Sequence, residues 1–387
     1  MPSIARKNLL QDIPRFLVAQ AGIMFAVSLV TIQTGLQRGF ASSSSLLIDN
    51  SQADIWVASK KMVHLELTLP LPFERLSQAQ KVAGVERAEA LILQGMMWRD
   101  RDENLGSITV VGFDPEAQLF SPWNVTQGKL NDLKKPFSMM VDESSLEGLN
   151  LKKVGNWGKL ESHKAEVVGL TSGTKSLVMG NFIFTSLENA NTYINPTLSK
   201  LTEPKKLSDT DSITFILIRA KPGEDLQSLK QNLEAALPNT RAFTRTQMAQ
   251  QTQSYWQERS GIGYILGLGA VVGVIVGVVI VGQILYSSAS DHIKEFGTLK
   301  AMGASDWVIY SVIVEQAAWM AILGYLPGIA LCVGVASWTS ATQAILILIT
   351  PESALIVFGI TLLMCVASAI FAIQKVTRVD PAIVFKT

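Results

Sequence analysis

Residues able to do covalent or metal chemistry are few in this chain, and their spacing does not make them cooperate. The stretch GLTSGTKS at 169–176 comes nearest to a phosphate loop. That loop has the form G-x-x-x-x-G-K-[ST], with the second glycine directly before the lysine, so that backbone amides and the ammonium surround the phosphates. Here Gly169 and Gly173 stand too close together and Thr174 intervenes before Lys175, which leaves a glycine-containing turn. Of three histidines, His64 and His163 lack H-E-x-x-H or comparable ligand spacing. These two and His292 are expected to be surface or structural residues, and no metal site is expected. ASSSS at 41–45 is followed by neither G-x-S-x-G nor S-x-x-K, so it gives no sign of a serine nucleophile. NVT at 124–126 fits the glycosylation pattern, which matters only in a eukaryotic secretory pathway. The expectation is a chain with no catalytic residues and no cofactor of its own.

The elements that must position these residues are dominated by apolar stretches. The 387 residues carry a net charge of +1 with 48% hydrophobic content, and the mean hydropathy is positive. Four segments, 16–37, 261–286, 311–337 and 353–374, are each long enough for a helix crossing a hydrocarbon core of about 30 Å, which takes roughly 20 residues. The first exceeds the roughly 7–15 residues of a signal-peptide core, and GFASSSS has no A-x-A cleavage pattern, so an uncleaved anchor is expected. Both cysteines, Cys332 and Cys365, lie in spans, which rules out disulfides and thiolate metal sites in the hydrophilic part. The spans hold glutamines but no Asp, Glu, Lys or Arg at mid-depth, as a proton-coupled carrier would need. If the protein does work, the energy must come from elsewhere.

Basic residues near span ends set orientation. Arg6, Lys7 and Arg15 precede the first span, Lys294 and Lys300 follow the second, and Lys375, Arg378 and Lys386 follow the fourth; the connection 338–352 has none. Both termini and the 287–310 loop are therefore expected to be cytoplasmic, with 38–260 outside and a short tail at 375–387. Residues 1–15 read either as an amphipathic elbow on the inner membrane surface or as a frayed basic terminus.

The outer segment 38–260 reads as a mixed α/β domain. ADIWVAS, ERAEALILQGMMWR, GSITVVGF, AEVVGL, NFIFTSL and SITFILIRA are β-branched or aromatic runs punctuated by turn formers. DLQSLKQNLEAAL spaces Leu226, Leu229, Leu233 and Leu237 at helical intervals. RTQMAQQTQSYWQERS reads as a polar helix running straight into the second span, with Tyr255, Trp256 and Tyr264 at the outer interface. Within that span Gly263 and Gly267 are four apart, and Gly269, Gly273 and Gly277 continue the spacing on a shifted face. Such spacing lets helices approach closely, either inside one chain or across a homodimer.

Between the second and third spans, SSASDHIKEFGTLKAMGASDWVI offers Ser290 or Asp291 as a helix cap. Ile293, Phe296, Leu299 and Met302 then follow at three-residue steps, and Gly303 is placed to end the helix in a left-handed conformation. Pattern alone leaves an interfacial anchor and a docking element equally open. EFGTLKAMGAS, however, resembles the coupling-helix signature E-[IF]-G-x-L-[RK]-A-[LM]-G-A of the FtsX/MacB class of ABC transporter permeases. It matches at Glu295, Phe296, Gly297, Leu299, Lys300, Ala301, Met302, Gly303 and Ala304. VDPAIVFK at 379–386 is similar to the family's ending and ARKNLL to its N-terminal elbow, while ADIWVAS and GVERAEALI resemble the DevC-like branch of cyanobacterial exporters.

The resemblance implies a polytopic four-helix membrane subunit with a large α/β periplasmic domain in a cyanobacterial inner membrane. It implies two permease copies, a separate ATPase that binds ATP and Mg, a membrane-fusion adaptor, an outer-membrane channel and a lipid or glycolipid cargo; a nucleic-acid partner is not expected. Its mechanism is mechanotransmission, in which ATP-driven closure moves the spans and through them the outer domain. On that reading Asp291, Ile293, Leu299 and Met302 belong to the docking helix. Glu295, Phe296 and Lys300 make the contacts, and Gly297 and Gly303 allow close approach and termination. A non-transporting FtsX-like regulator of a cell-wall hydrolase and a lipoprotein-releasing permease are the alternatives.

Overall fold

The computed structural model describes residues 13–198, 203–259, 261–343 and 346–377. The N-terminal part of the elbow (1–12) and the VDPAIVFK ending lie outside them. The chain divides into two compact units, 1–39 with 261–387, and 40–260. Helix α1, Ile13–Ser44, starts in the first and ends in the second.

In the unit 40–260, among the described residues, ten strands form one sheet. They are β1 (Ile55–Ser59), β2 (Val85–Arg99), β3 (Leu105–Phe113), β4 (Val125–Gln127), β5 (Ser138–Asp142), β6 (Trp157–Leu160), β7 (His163–Thr171), β8 (Asn181–Ser186), β9 (Phe215–Ala220) and β10 (Thr240–Thr244). The order is β10-β1-β9-β2-β3-β8-β5-β7-β4, with β6 joining β2 to β7. The long strand β2 links two halves: Val85–Leu91 pairs with β9, and Ile92–Arg99 pairs with β3.

Successive side chains of a strand point to opposite faces, and here each face has its own core. Ile55, Val57, Ile216 and Ile218 enter one core; Trp56, Ala58, Phe215 and Leu217 enter the other. Helices α2 (Glu74–Gln80), α3 (Leu187–Ile194) and α4 (Leu226–Ala236) bring Ala79, Leu187, Leu229 and Leu233 to the first core. Helix α5 (Arg245–Ser254) brings Met248 and Ala249 to the second. The expected β runs are all strands; β4, β5, β6 and β10 are additional to that reading. One expectation is corrected. α5 does not run straight into the next span, because a π-turn at Tyr255–Arg259 follows it and Gly261 sits at φ +76°, a conformation that interrupts the helix at low cost only for glycine.

The other unit holds α6 (Ile262–Asp291), α7 (Ile293–Ala301), α8 (Asp306–Gln343) and α9 (Pro351–Thr377). Four helices, α1, α6, α8 and α9, are long and apolar enough to cross a membrane. All four extend past their expected limits: α1 runs on to Ser44, and α8 begins at Asp306 rather than 311. Their core gathers Ile23, Val27, Val281, Leu285, Ile313, Ala317, Met364 and Cys365.

The glycine spacing in α6 serves packing inside the chain. A Cβ on Gly269 would meet Gln33, on Gly273 Leu29, and on Gly277 Met364 and Ala26, whereas around Gly267 there is open space. Gly263 is buried. Four glycines that the sequence reading passed over do the same work. Gly324 and Gly328 of α8 face Ile23 and Val27 of α1, while Gly35 and Gly39 of α1 face Ile347 and the Leu346 carbonyl after α8. The Leu348 amide donates to the Gly35 carbonyl at 3.1 Å, a backbone approach that side chains on α1 would prevent.

Candidate functional site

The segment joining α6 to α8 is nearly all helix. α6 ends at Asp291, so Ser290 and Asp291, the two candidate caps for the next helix, both close the previous one instead, and the Asp291 carboxylate pairs with Arg15 of α1. His292 takes the cap position with non-helical φ −93° and ψ 18°, and its Nδ1 lies 3.1 Å from the Glu295 carboxylate. α7 then runs to Ala301. The Met302 amide donates to the Thr298 carbonyl at 3.0 Å and the Gly303 amide to Lys300 at 2.9 Å. Gly303 stands at φ +91°, so it stops the helix as its position predicts.

This short helix has an inner and an outer side. Phe296 is 2% exposed and joins the core with Leu285, Ala289, Ile309 and Ile313, and Gly297 is buried beside it. That corrects the expectation for Phe296: it holds α7 against the bundle and is not offered to a partner. Lys300 also turns inward, with its side chain 14% exposed and Nζ 2.9 Å from Asp306 Oδ1. This pair bridges the Gly303 turn from the end of α7 to the start of α8. The outer side carries Lys294, Glu295 and Thr298, followed by Met302, which is 72% exposed, and Trp307, which is 78% exposed. Ile293 is half-buried, and Leu299 lies within α7, its side chain outside the described residues. Trp307 was not among the expected site residues. Its signal was a large aromatic two residues past the motif, placed where a membrane helix begins.

The other candidates have structural partners. In the 169–176 stretch, the Thr174 amide and hydroxyl both donate to the buried Asp142 carboxylate, at 2.6 and 3.0 Å. A carboxylate therefore occupies the donors that a phosphate would need. In the serine tract, Ser43 Oγ accepts from the Leu177 amide at 2.6 Å and its carbonyl accepts from Ser176 at 2.9 Å. His64 stacks on Tyr255 with ring centroids 4.1 Å apart, and burial pushes its pKa down. His163 stacks on Phe137 at 4.7 Å. Among the described residues no group of three or more His, Cys, Asp or Glu is placed to hold a metal.

Comparison with known proteins adds to this geometry. The MacB-like periplasmic core domain family matches residues 16–236, and the FtsX-like permease C-terminal family matches residues 267–381. An uncharacterized ABC transporter permease of Methanocaldococcus jannaschii is 23% identical over 186 residues, which is 46% of this chain and 42% of that protein. The chain thus spans under half the length of that curated relative. Among solved structures, the periplasmic region of MacB from Actinobacillus actinomycetemcomitans is similar with TM-score 0.36 and 12% identity, over 52% of this chain and 94% of that one. The extracellular domain of the noncanonic ABC-type transporter YknZ from Gram-positive bacteria is similar with TM-score 0.34 and 12% identity, over 45% and 90%. With a MacB-like core domain matched over more than half its length and an FtsX-like region over its last three spans, this chain belongs to the FtsX/MacB family of ABC transporter permeases.

Proposed function

We propose that the chain is the membrane subunit of an ATP-driven exporter, and that α7 with the turn into α8 is where a separate ATPase docks. The observation that carries this is the two-sided helix: Phe296 and Gly297 fix α7 to the bundle while Glu295, Met302 and Trp307 face outward between two spans. An amphipathic helix seated rigidly on membrane-crossing helices can pass a push into them, and the Lys300–Asp306 pair would carry it across the turn. ATP and Mg belong to the ATPase; the chain itself is proposed to hydrolyse nothing.

On this reading α7 faces the cytoplasm and residues 40–260 the opposite side, as the basic residues near span ends favour. Two copies assemble, and an adaptor and an outer-membrane channel continue the path. Of the α6 glycines with mapped surroundings, Gly267 alone has open space, so it is the one left for a contact between copies. The cargo we propose, a lipid or glycolipid, rests on the resemblance to the DevC-like branch alone.

Pull-down of the ATPase encoded beside this chain tests the docking surface. Glu295→Lys, Met302→Glu and Trp307→Ala should each leave the permease folded and weaken capture by about tenfold or more, the effect of losing roughly 1.4 kcal/mol. Full capture by all three variants would mean that α7 is an interfacial anchor.

A further inference from the structure

The sheet of the 40–260 unit has an open edge partway along its longest strand. β3 lines one edge of β2 from Ile92 to Arg99. On the opposite edge β9 reaches only to Leu91 and β6 pairs only with Trp98 and Arg99, so no described strand pairs with 92–97 there. Thr214, just before β9, fills the first place: its Oγ1 accepts from the Leu93 amide at 2.8 Å and donates to the Leu93 carbonyl at 3.1 Å. The backbone groups of a strand point alternately to its two edges, so those of Gly95 and Met97 point the same way as those of Leu93. The Gly95 carbonyl meets the side chain of its neighbour Gln94 at 3.3 Å, and no described strand reaches the two amides. Such a row of backbone groups is a template for another strand, and proteins commonly guard it with lysine or proline. Gln94–Met97 contains neither; Gly95 has open space where a Cβ would stand, and Met97 is 54% exposed.

This edge borders a cavity of about 770 Å³. Met96, Ile194 at the end of α3, and Ile213 supply its apolar wall; its charged side chains are Glu161 and Asp211, and among the described residues no lysine or arginine lines it. Asn191 of α3, 1% exposed, stands in the same wall, and its Nδ2 is buried with no hydrogen-bond partner among the described residues. Buried amide donors are normally satisfied, so this one marks a place for an acceptor from outside.

We infer that the cavity receives an extended segment of a partner polypeptide, which adds a short strand to β2 against Gly95 and Met97. At about 3.3 Å per residue, the gap from Gln94 to Met97 accommodates roughly four residues of it. Main-chain bonds hold such a strand, and pockets for alternate side chains select it. Here the selected segment carries an apolar side chain toward Met96, Ile194 and Ile213 and a basic one toward Glu161 or Asp211. The site lies wholly within the 40–260 unit, and it depends neither on whether the chain exports anything nor on where an ATPase docks.

Two measurements on the full-length protein in lipid nanodiscs test this. In the free protein, hydrogen–deuterium exchange relative to intrinsic rates should be several-fold faster at the Gly95 and Met97 amides than at the Leu93 amide. Exchange as slow as at Leu93 would mean that this chain already covers the edge, and would overturn the inference. A phage library of random linear octapeptides, selected on the wild-type protein, should enrich segments in which apolar residues alternate and lysine or arginine flanks them. A synthetic peptide so selected should slow exchange at 95 and 97 and bind Gly95→Pro at least tenfold more weakly, since proline removes one edge donor and is tolerated on an open edge. Glu161→Lys, at an exposed turn outside the ladder, should weaken it several-fold while leaving β2 untouched. No enriched pattern, or a peptide that binds both variants as it binds the wild type, would overturn the inference.

Discussion

The α/β unit and the helical unit bury their interiors by different rules. Along β1 and β9 alternate residues feed two separate cores, and the face of each side chain follows from its place in the strand. In the helical unit α6 is apolar nearly all round, and which side meets another helix is decided by small residues: Gly273 against Leu29, Gly277 against Met364 and Ala26, Gly324 against Ile23. In water, hydrophobic transfer selects the inside. In lipid it does not, and close backbone approach takes over that role. The two units should therefore fail by different kinds of substitution.

The largest effect is expected in the α/β unit. Trp56 is fully buried, meets Phe215 edge-on with centroids 5.4 Å apart, and donates from Nε1 to Ser51 at 3.3 Å. Trp56→Ala should cost about 3–5 kcal/mol, seen as early thermal loss of the strand signal while the helical signal persists. Loss of both signals together would show that the units unfold as one.

Next comes overfilling in the helical unit. Gly277→Leu should cost about 1–3 kcal/mol, measured as lowered thermal stability in detergent, because Met364 and Ala26 occupy the space. Gly267→Leu, with nothing near it, should leave the monomer's stability unchanged. Equal effects at the two sites would break the comparison.

The smallest effect sharpens it with a carboxylate that the α/β unit holds through hydrogen bonds alone. Asp100 accepts from the amides of Asp102 and Asn104 at 2.8 and 2.9 Å and from the side chains of Asn104 and Asn150 at 3.0 and 2.9 Å. These bonds, led by that from the Asn104 side chain, hold its carboxyl below the usual range. A depressed folded-state pKa stabilises the fold above the unfolded carboxylate value of about 4 and loses that contribution as pH falls through the folded value. The midpoint gap between wild type and Asp100→Ala should thus be widest near neutral pH and narrow below about pH 4. A gap that is flat across that range would contradict the assignment.

Much of this was readable beforehand, for identifiable reasons. Charge-free runs marked the four spans, and β-branched or aromatic runs bounded by turn formers marked strands such as β1 and β3. The helices continue past the apolar runs that mark the spans, as α1 does through Arg38 to Ser44, because a continued helix still satisfies its own backbone where no apolar run signals it. Strands β5 and β6 are short and carry turn-like residues, so periodicity had too few positions to register. At α7 the motif and the Gly303 stop were legible. Which side faced inward was not, since apolar residues at three-residue steps drift around the helix and make Phe296 and Met302 look alike. Gly35 with Gly39 and Gly324 with Gly328 have the same four-residue spacing as the α6 glycines and could have been found by the same rule.

The central claim is that α7 has a bundle side and a docking side. Permease-dependent stimulation of the ATPase, measured in a reconstituted complex, tests it most directly by comparing Met302→Glu and Trp307→Ala with Phe296→Ala. The account predicts that the first two abolish stimulation at unchanged thermal stability, while Phe296→Ala lowers the stability of the permease itself. If Met302→Glu and Trp307→Ala stimulate as wild type does, the outward face of α7 is not where the ATPase acts.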